Sequence, residues 1–113
     1  MRLPGANRAI IEPAKIRDYL LNPDHPVGFS KAEFFLSMGF RAAEWALLAA
    51  AIRRQILISD AVPAPGAVHG RKFTVTGPLA GPYGFSRSVT TVWIIAVGTD
   101  APRLITAYAG ERA

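Results

Sequence analysis

The chain contains no cysteine, two histidines and only eight acidic residues. The absence of cysteine excludes thiolate nucleophiles, cysteine-ligated zinc or iron–sulfur centres and any disulfide framework. The sequence also lacks HExxH, GxxxxGK[ST], GxSxG and a GxGxxG that follows a strand. These absences argue against metalloproteases, P-loop NTPases, α/β-hydrolases and Rossmann oxidoreductases. We therefore expect a protein that uses neither a metal ion nor a cofactor.

Long apolar segments are also missing. The apolar run 45–52 ends at Arg53 and Arg54, far short of the ~20 residues that span a bilayer. The N-terminal residues lead into Pro4 instead of the apolar stretch of a signal peptide. We expect a cytoplasmic protein that has no targeting segment and does not act at a membrane.

Basic residues outnumber acidic ones, with 13 lysines and arginines in 113 residues, a net charge of +5 and a pI near 10.2. A basic excess of this size favours an anionic partner. Hydrophobic residues make up 50% of the chain and charged residues 19%, which is typical of a folded domain and not of a disordered segment. The length suits one hydrophobic core.

The composition changes near residue 60, and this change predicts the organisation of the chain. A helical part over about 9–58 precedes a linker rich in proline, glycine and alanine over about 60–68. An antiparallel sheet is predicted over about 70–110. We expect all three parts to belong to one domain, 1–113.

Three helices are predicted in the helical part. Pro13 suits the first position of a helix, and apolar residues follow it at helical spacing. Ser30 and Glu33 form a capping box, which predicts a second helix from Lys31. A third helix is predicted over about 41–57, where four large apolar residues lie on one face: Trp45, Leu48, Ile52 and Ile56.

The second half of the chain favours strands. Residues 71–76 alternate between apolar and polar, which is typical of a half-buried strand. A hairpin loop is predicted over 77–84, followed by a longer strand over 87–97 that is apolar on both faces and therefore central. A last strand is predicted over 103–109. The expected fold is α+β, with the N-terminal helices packed on one face of an antiparallel sheet of three to four strands.

His25 is the strongest candidate for chemistry. It lies in the segment 22–28, which holds two prolines and a glycine and must form an ordered loop. A histidine can exchange a proton near neutral pH, and metal-free cleavage of RNA by transesterification needs a base, an acid and a cation. The alternative is that His25 caps a turn or a helix end by hydrogen bonding.

Three further residues complete the candidate catalytic set. Lys31 brings a cation to a helix N-terminus, which itself attracts phosphate, although a solvated lysine is the alternative. Thr106 and Tyr108 are expected to share a strand face with Leu104. They have hydroxyl groups that can donate hydrogen bonds to a phosphate, or they can be residues at the edge of the core.

Four basic residues of the predicted strands are candidates for binding a phosphate backbone: Arg71, Lys72, Arg87 and Arg103. An ordinary charged strand face is the alternative, because the outer face of a sheet is commonly polar. His69 follows the flexible linker, and we expect it to be a surface histidine.

The segment 16–32, IRDYLLNPDHPVGFSKA, resembles a family of small bacterial proteins described only as a domain of unknown function. Residues 73–78, 92–95 and 102–108 resemble the strands of that family. Members of the family occur alone, beside a gene for another small protein, and as C-terminal modules of polymorphic toxins. The resemblance therefore implies toxin–antitoxin or conflict biology.

The layout of helices followed by a sheet is similar to that of the metal-independent ribonucleases grouped with barnase, EndoU, colicin and RelE. This likeness is an analogy at the level of fold. The family resemblance marks the following positions without assigning their roles: His25, Gly28, Lys31, Trp93, Arg103, Thr106 and Tyr108.

The leading hypothesis is a toxin-like, metal-independent ribonuclease. His25 would act as general base or acid, Lys31 would stabilise the transition-state charge, and Thr106 and Tyr108 would orient the phosphate. The expected partners are RNA, with tRNA as one candidate, and a small acidic antitoxin or immunity protein. Two alternatives stay open: a non-catalytic module that binds a small acidic protein, and a nucleic-acid-binding protein that does not cleave.

Overall fold

The helical and strand-forming halves of the sequence form two layers. The computed structural model describes residues 1–66 and 68–110. Helices occupy the first half, and a four-stranded antiparallel sheet with the strand order β1-β2-β3-β4 follows. The predicted α+β class is confirmed.

Three helices are described, and two of them continue as π-helical segments. Helix α1 is Pro13–Lys15, continued by Ile16–Leu20; α2 is Phe29–Ser37; α3 is Trp45–Ala51, preceded by the 3-10 turn Ala42–Glu44 and continued by Ile52–Ile56. A further 3-10 turn spans Ala6–Arg8. The strands are β1 Ala61–Ala64, β2 Gly70–Ala80, β3 Ser86–Ala96 and β4 Arg103–Ala109.

Helix α2 begins two residues earlier than the capping box predicts. Phe29 is the first helical residue and Gly28 is the N-cap, which leaves Ser30 inside the helix without a capping hydrogen bond. The prediction of a capping box is therefore wrong. The physical reason is that the backbone N–H groups of Val27 and Gly28 donate to the His25 ring, which fixes the chain just before the helix.

Part of the predicted linker is a strand. Residues 61–64 pair with residues 72–75 of β2, so the linker 60–68 is shorter than expected; its residue 67 lies outside the described part of the chain. Pro63 lies in this strand, where it is tolerated because β1 is at the edge of the sheet.

The predicted hairpin loop 77–84 is also shorter. Strand β2 continues to Ala80, and Gly77 and Pro78 pair with β3. Proline is possible at this position because β1 pairs only as far as Val75, so the other side of β2 has no neighbouring strand there.

Strand β4 contains a bulge that reverses part of its alternation. The register with β3 shifts by one residue, and Ile105 is the additional residue. Leu104 and Ala107 consequently face the core, whereas Thr106 and Tyr108 share the opposite side of the strand. The expectation that both hydroxyl residues lie on the face of Leu104 is wrong, because sequence alternation does not include the bulge.

The core lies between the helices and one face of the sheet. Trp93 of β3 is fully buried, and its Nε1 donates to Thr91 Oγ1 over 2.7 Å; Thr91 donates in turn to the Val75 carbonyl over 3.0 Å. The predicted apolar face of the third helix contributes Leu48, Ile52 and Ile56, all buried, while Trp45 packs partly buried against the same cluster.

Within residues 1–66 and 68–110, no single helix is long and apolar enough to cross a bilayer. The required length and apolarity are reached only by two helices taken together, Phe29–Ser37 and Ala42–Ile56, and this pair is bent by 74°.

Candidate functional site

Tyr19 lies at the centre of the candidate site. It belongs to the π-helical end of α1, where the side chain is half-buried. Its hydroxyl lies 3.1 Å from Thr106 Oγ1 of β4, and the two groups share a hydrogen bond. Its ring meets the His25 ring edge to face, with the centroids 5.0 Å apart at 77°. Tyr19 thus joins a helix, a loop and a strand.

Two lysines flank the Tyr19 ring. Lys15 Nζ lies 5.3 Å from the ring centroid, and Lys31 Nζ lies 5.9 Å from it. Lys15 precedes Tyr19 by four residues in α1, and Lys31 belongs to the first turn of α2. Both ammonium groups are within the distance at which a cation is attracted to an aromatic face. The arrangement concentrates positive charge around one phenol.

His25 has a defined tautomer. Its Nδ1 accepts hydrogen bonds from the backbone N–H groups of Val27 and Gly28, each over 3.0 Å. A nitrogen that accepts these bonds carries no proton, so the neutral ring carries its proton on Nε2. Nε2 has no protein partner within the described ranges. The alternative prediction, that His25 caps a turn or a helix end, is confirmed.

The tautomer bears on the expected role of His25. A general base needs a free lone pair, and the lone pair of Nδ1 is already used by two backbone donors. The Nε2–H group is a hydrogen-bond donor that a phosphate oxygen can accept. The geometry therefore favours His25 as a donor over His25 as a base.

Gly28 allows α2 to pack against Tyr19. A Cβ atom at this position would lie 2.8 Å from two carbons of the Tyr19 ring. Real Cβ atoms do not approach this closely, so a larger residue would displace the ring. The absence of a side chain at Gly28 is what brings the first turn of α2, with Lys31, beside the phenol.

A groove of 530 Å³ opens beside Tyr19. Its volume is in the range of small-molecule sites. The residues that line it come from α1, from the residue before α1 and from the His25 loop: Glu12, Ala14, Lys15, Asp18, Tyr19, His25 and Val27.

The carboxylates that line this groove are already paired. Asp18 accepts from Arg17 over 2.9 and 3.0 Å, and this hydrogen bond lowers the pKa of the Asp18 carboxyl. Glu12 forms an ion pair with Arg103. Lys15 and Lys31 have no carboxylate partner in the part of the chain that the structure describes. The uncompensated charge around Tyr19 is therefore positive, with Lys15 lining the groove and Lys31 beside the same ring, and this charge suits an anion.

Over residues 1–66 and 68–110, no group of three histidine, cysteine, aspartate or glutamate side chains is placed to hold a metal ion.

Three of the four predicted catalytic residues meet at Tyr19. His25 and Lys31 contact its ring, and Thr106 contacts its hydroxyl. Tyr108 is exposed and follows Thr106 by two residues on the same side of β4, about 7 Å along the strand. It lies near this cluster, and within residues 1–66 and 68–110 its side chain forms no hydrogen bond with it.

The four predicted RNA-binding residues do not form one stripe. Lys72 and Arg103 flank Ile94 on one face of the sheet, about 10 Å apart across two strand spacings. Arg71 and Arg87 lie near opposite ends of the β2–β3 hairpin, about 27 Å apart along the strands. The geometry separates them, and Arg103 is engaged by a carboxylate. His69 is exposed, as expected.

Sequence reasoning missed Tyr19 and Lys15. Tyr19 lies on the apolar face of α1, so the sequence pattern indicates a core residue and gives no function for its hydroxyl. Two signals were available in the sequence: Lys15 and Tyr19 are spaced i and i+4 on one helix face, and Tyr19 lies within the segment 16–32. The partner of its hydroxyl, 87 residues away, gives no local signal.

The fold and the site define a small α+β protein in which a phenol flanked by lysines lies at the edge of the sheet. A family model described as Domain of unknown function (DUF6883) matches residues 2–111. The chain belongs to this family. No curated protein and no solved structure shows a detectable match to it.

Proposed function

We propose that this protein is a metal-independent ribonuclease that acts as the toxin of a toxin–antitoxin or polymorphic-toxin system. The observation that carries the proposal is that Lys15, Lys31 and His25 all lie against the Tyr19 ring, and that Tyr19, Lys15 and His25 line one groove. These groups are two cations, an N–H donor and a phenol. Together they suit a phosphodiester that gains charge during its reaction.

The two lysines supply the electrostatic part of the reaction. In RNA transesterification the 2′ oxygen bonds to phosphorus while the bond from phosphorus to the 5′ oxygen breaks. The non-bridging oxygens gain negative charge in between, and ammonium groups already in position stabilise that charge. His25 Nε2–H donates to one of the same oxygens.

Tyr19 supplies the proton transfer. Its hydroxyl gives a proton to the departing 5′ oxygen, while the 2′-OH loses its own proton to water. The phenolate that remains lies beside the ammonium groups of Lys15 and Lys31 and regains its proton from water. Thr106 holds the phenol in place through their shared hydrogen bond. A general acid of this kind contributes roughly 100-fold or more to the rate.

The regulatory partner follows from charge. The net charge of +5 and the two lysines beside Tyr19 favour a small acidic antitoxin or immunity protein that covers the groove in the cytoplasm. RNA and this protein would then compete for the same surface.

The test is incubation of the purified protein with tRNA and total RNA in EDTA. The wild type is expected to release fragments that end in a 2′,3′-cyclic phosphate. Tyr19→Phe, which keeps the ring and loses the hydroxyl, is expected to be roughly 100-fold slower. Arg54→Gln removes a charge from α3 outside the groove and is the matched control. Intact RNA with the wild type, or equal rates for wild type and Tyr19→Phe, would contradict the proposal.

A second candidate function is RNA binding without cleavage. The observation that favours it is the absence of an unpaired base at the groove, since His25 Nδ1, Asp18 and Glu12 are all engaged. This candidate predicts binding that weakens steeply with salt and no product in the same assay.

A further inference from the structure

A second groove lies farther along α2 and β4. It has a volume of 510 Å³ and is formed by α2, the turn between β2 and β3, and the adjacent ends of β3 and β4. Its lining is aromatic at one side and hydroxyl-bearing at the other: Phe34, Phe85, Ser86, Arg87, Ser88, Ala109 and Gly110.

Arg87 and Phe85 form a cation–π pair at this groove. The guanidinium carbon of Arg87 lies 5.1 Å from the centroid of the Phe85 ring. Both side chains remain exposed, so a planar group can be added to the pair. Arginine planes and aromatic rings are the surfaces on which proteins stack nucleobases.

The rest of the lining suits the same ligand. Phe34 is half-buried, and its ring is held edge to face against Phe35, with the centroids 5.1 Å apart. Ser86 and Ser88 place hydroxyl groups that can donate to and accept from a base edge. The groove thus combines a stacking platform, a cation and polar groups.

The two grooves are connected by two elements. Lys31, beside the Tyr19 ring, and Phe34, at the second groove, are neighbours at i and i+3 on α2. Thr106, bonded to Tyr19, and Ala109, at the second groove, lie about 10 Å apart along β4. Arg87 lies farther, about 17 Å along the sheet from the level of Thr106, so a single strand with a phosphate at Tyr19 could run along α2 and β4 toward Arg87.

We infer that the second groove is a nucleobase-binding subsite, which stacks a base of the same RNA strand whose phosphate is held at Tyr19. The inference rests on the proposed ribonuclease function. It adds that a base of the RNA, bound in the second groove, positions the strand at Tyr19. Arg87, one of the predicted RNA-binding residues, acts here by stacking a base instead of joining a phosphate-binding stripe.

The test compares two non-cleavable ligands by fluorescence anisotropy. One is a short 2′-O-methyl RNA, and the other has the same number of phosphates and no bases. Stacking of one base corresponds to roughly 10-fold in affinity, so the wild type is expected to prefer the first ligand by about that factor. Phe85→Leu and Arg87→Gln are expected to lose most of the preference, and Arg54→Gln is expected to keep it.

Three results would overturn the inference: equal wild-type affinities for the two ligands, a preference that survives both changes, or an equal loss of affinity for both ligands in Arg87→Gln. The last result would mean that Arg87 contacts phosphate only. The assay also separates the two proposals. A base preference without cleavage in EDTA would support the base-binding subsite and contradict the ribonuclease proposal. Cleavage without a base preference would support the ribonuclease proposal and contradict the subsite.

Discussion

At the scale of single residues, hydrogen bonds decide the chemistry that each side chain can perform. His25 attracts attention in the sequence as a possible base, yet its Nδ1 accepts from two backbone groups and is not free. Tyr19, in contrast, matches an apolar helix face in the sequence and has aromatic, cation–π and hydroxyl contacts in the structure. A residue type predicts possible roles, and its bonded neighbours select among them.

The capping role of His25 predicts a graded effect on stability. His25→Ala leaves the N–H groups of Val27 and Gly28 without their acceptor, and we expect it to lower the free energy of unfolding by about 1–3 kcal/mol. His25→Asn is expected to lose less, because an asparagine oxygen can accept from the backbone two residues on. Urea denaturation measures both. Equal stability of the wild type and His25→Ala would contradict the capping role.

His25→Asn also separates structure from catalysis. The variant keeps an acceptor for the turn and lacks the imidazole Nε2–H. We expect RNA cleavage by His25→Asn to fall by more than its loss of stability explains. Full activity in this variant would restrict His25 to its structural role.

At the scale of elements, the sequence predicts where helices and strands occur better than how they begin and pair. The helical period of α3 and the alternation in β2 are local properties, and both predictions are confirmed. The bulge at Ile105 depends on the register with β3, which alternation within β4 cannot show. The start of α2 depends on the turn before it: His25 Nδ1 accepts from Val27 and Gly28, and the helix begins at Phe29, ahead of Ser30.

The buried hydrogen-bond chain in β3 predicts coupled effects. Thr91→Val leaves Trp93 Nε1–H buried without an acceptor, and we expect a loss of about 1–3 kcal/mol in the free energy of unfolding. Trp93→Phe removes the donor itself. The double variant is therefore expected to lose less stability than the sum of the single variants, as measured by urea denaturation in a double-mutant cycle. Strict additivity would show that the two side chains do not interact.

At the scale of the whole molecule, the candidate site forms where distant parts of the chain meet. His25 and Lys31 are near each other in sequence, and their segment was predictable as a candidate. Thr106 joins them only because β4 lies against α1 and α2, 87 residues from Tyr19 along the chain. The same topology separates Arg71 from Arg87, although the sequence predicts that both bind one phosphate backbone. The basic composition predicts an anionic partner, but it does not indicate which surface such a partner would bind.

The central claim is that the lysine-flanked phenol is where RNA is cut, and the most direct measurement is the single-turnover cleavage rate of a defined RNA in EDTA. We compare the wild type with Lys31→Met, which removes one ammonium group beside Tyr19, and with Arg54→Gln, which removes a charge elsewhere. The account predicts a rate roughly 100-fold lower for Lys31→Met, the usual effect of losing one transition-state contact, and an unchanged rate for Arg54→Gln. Equal rates for Lys31→Met and Arg54→Gln would contradict it.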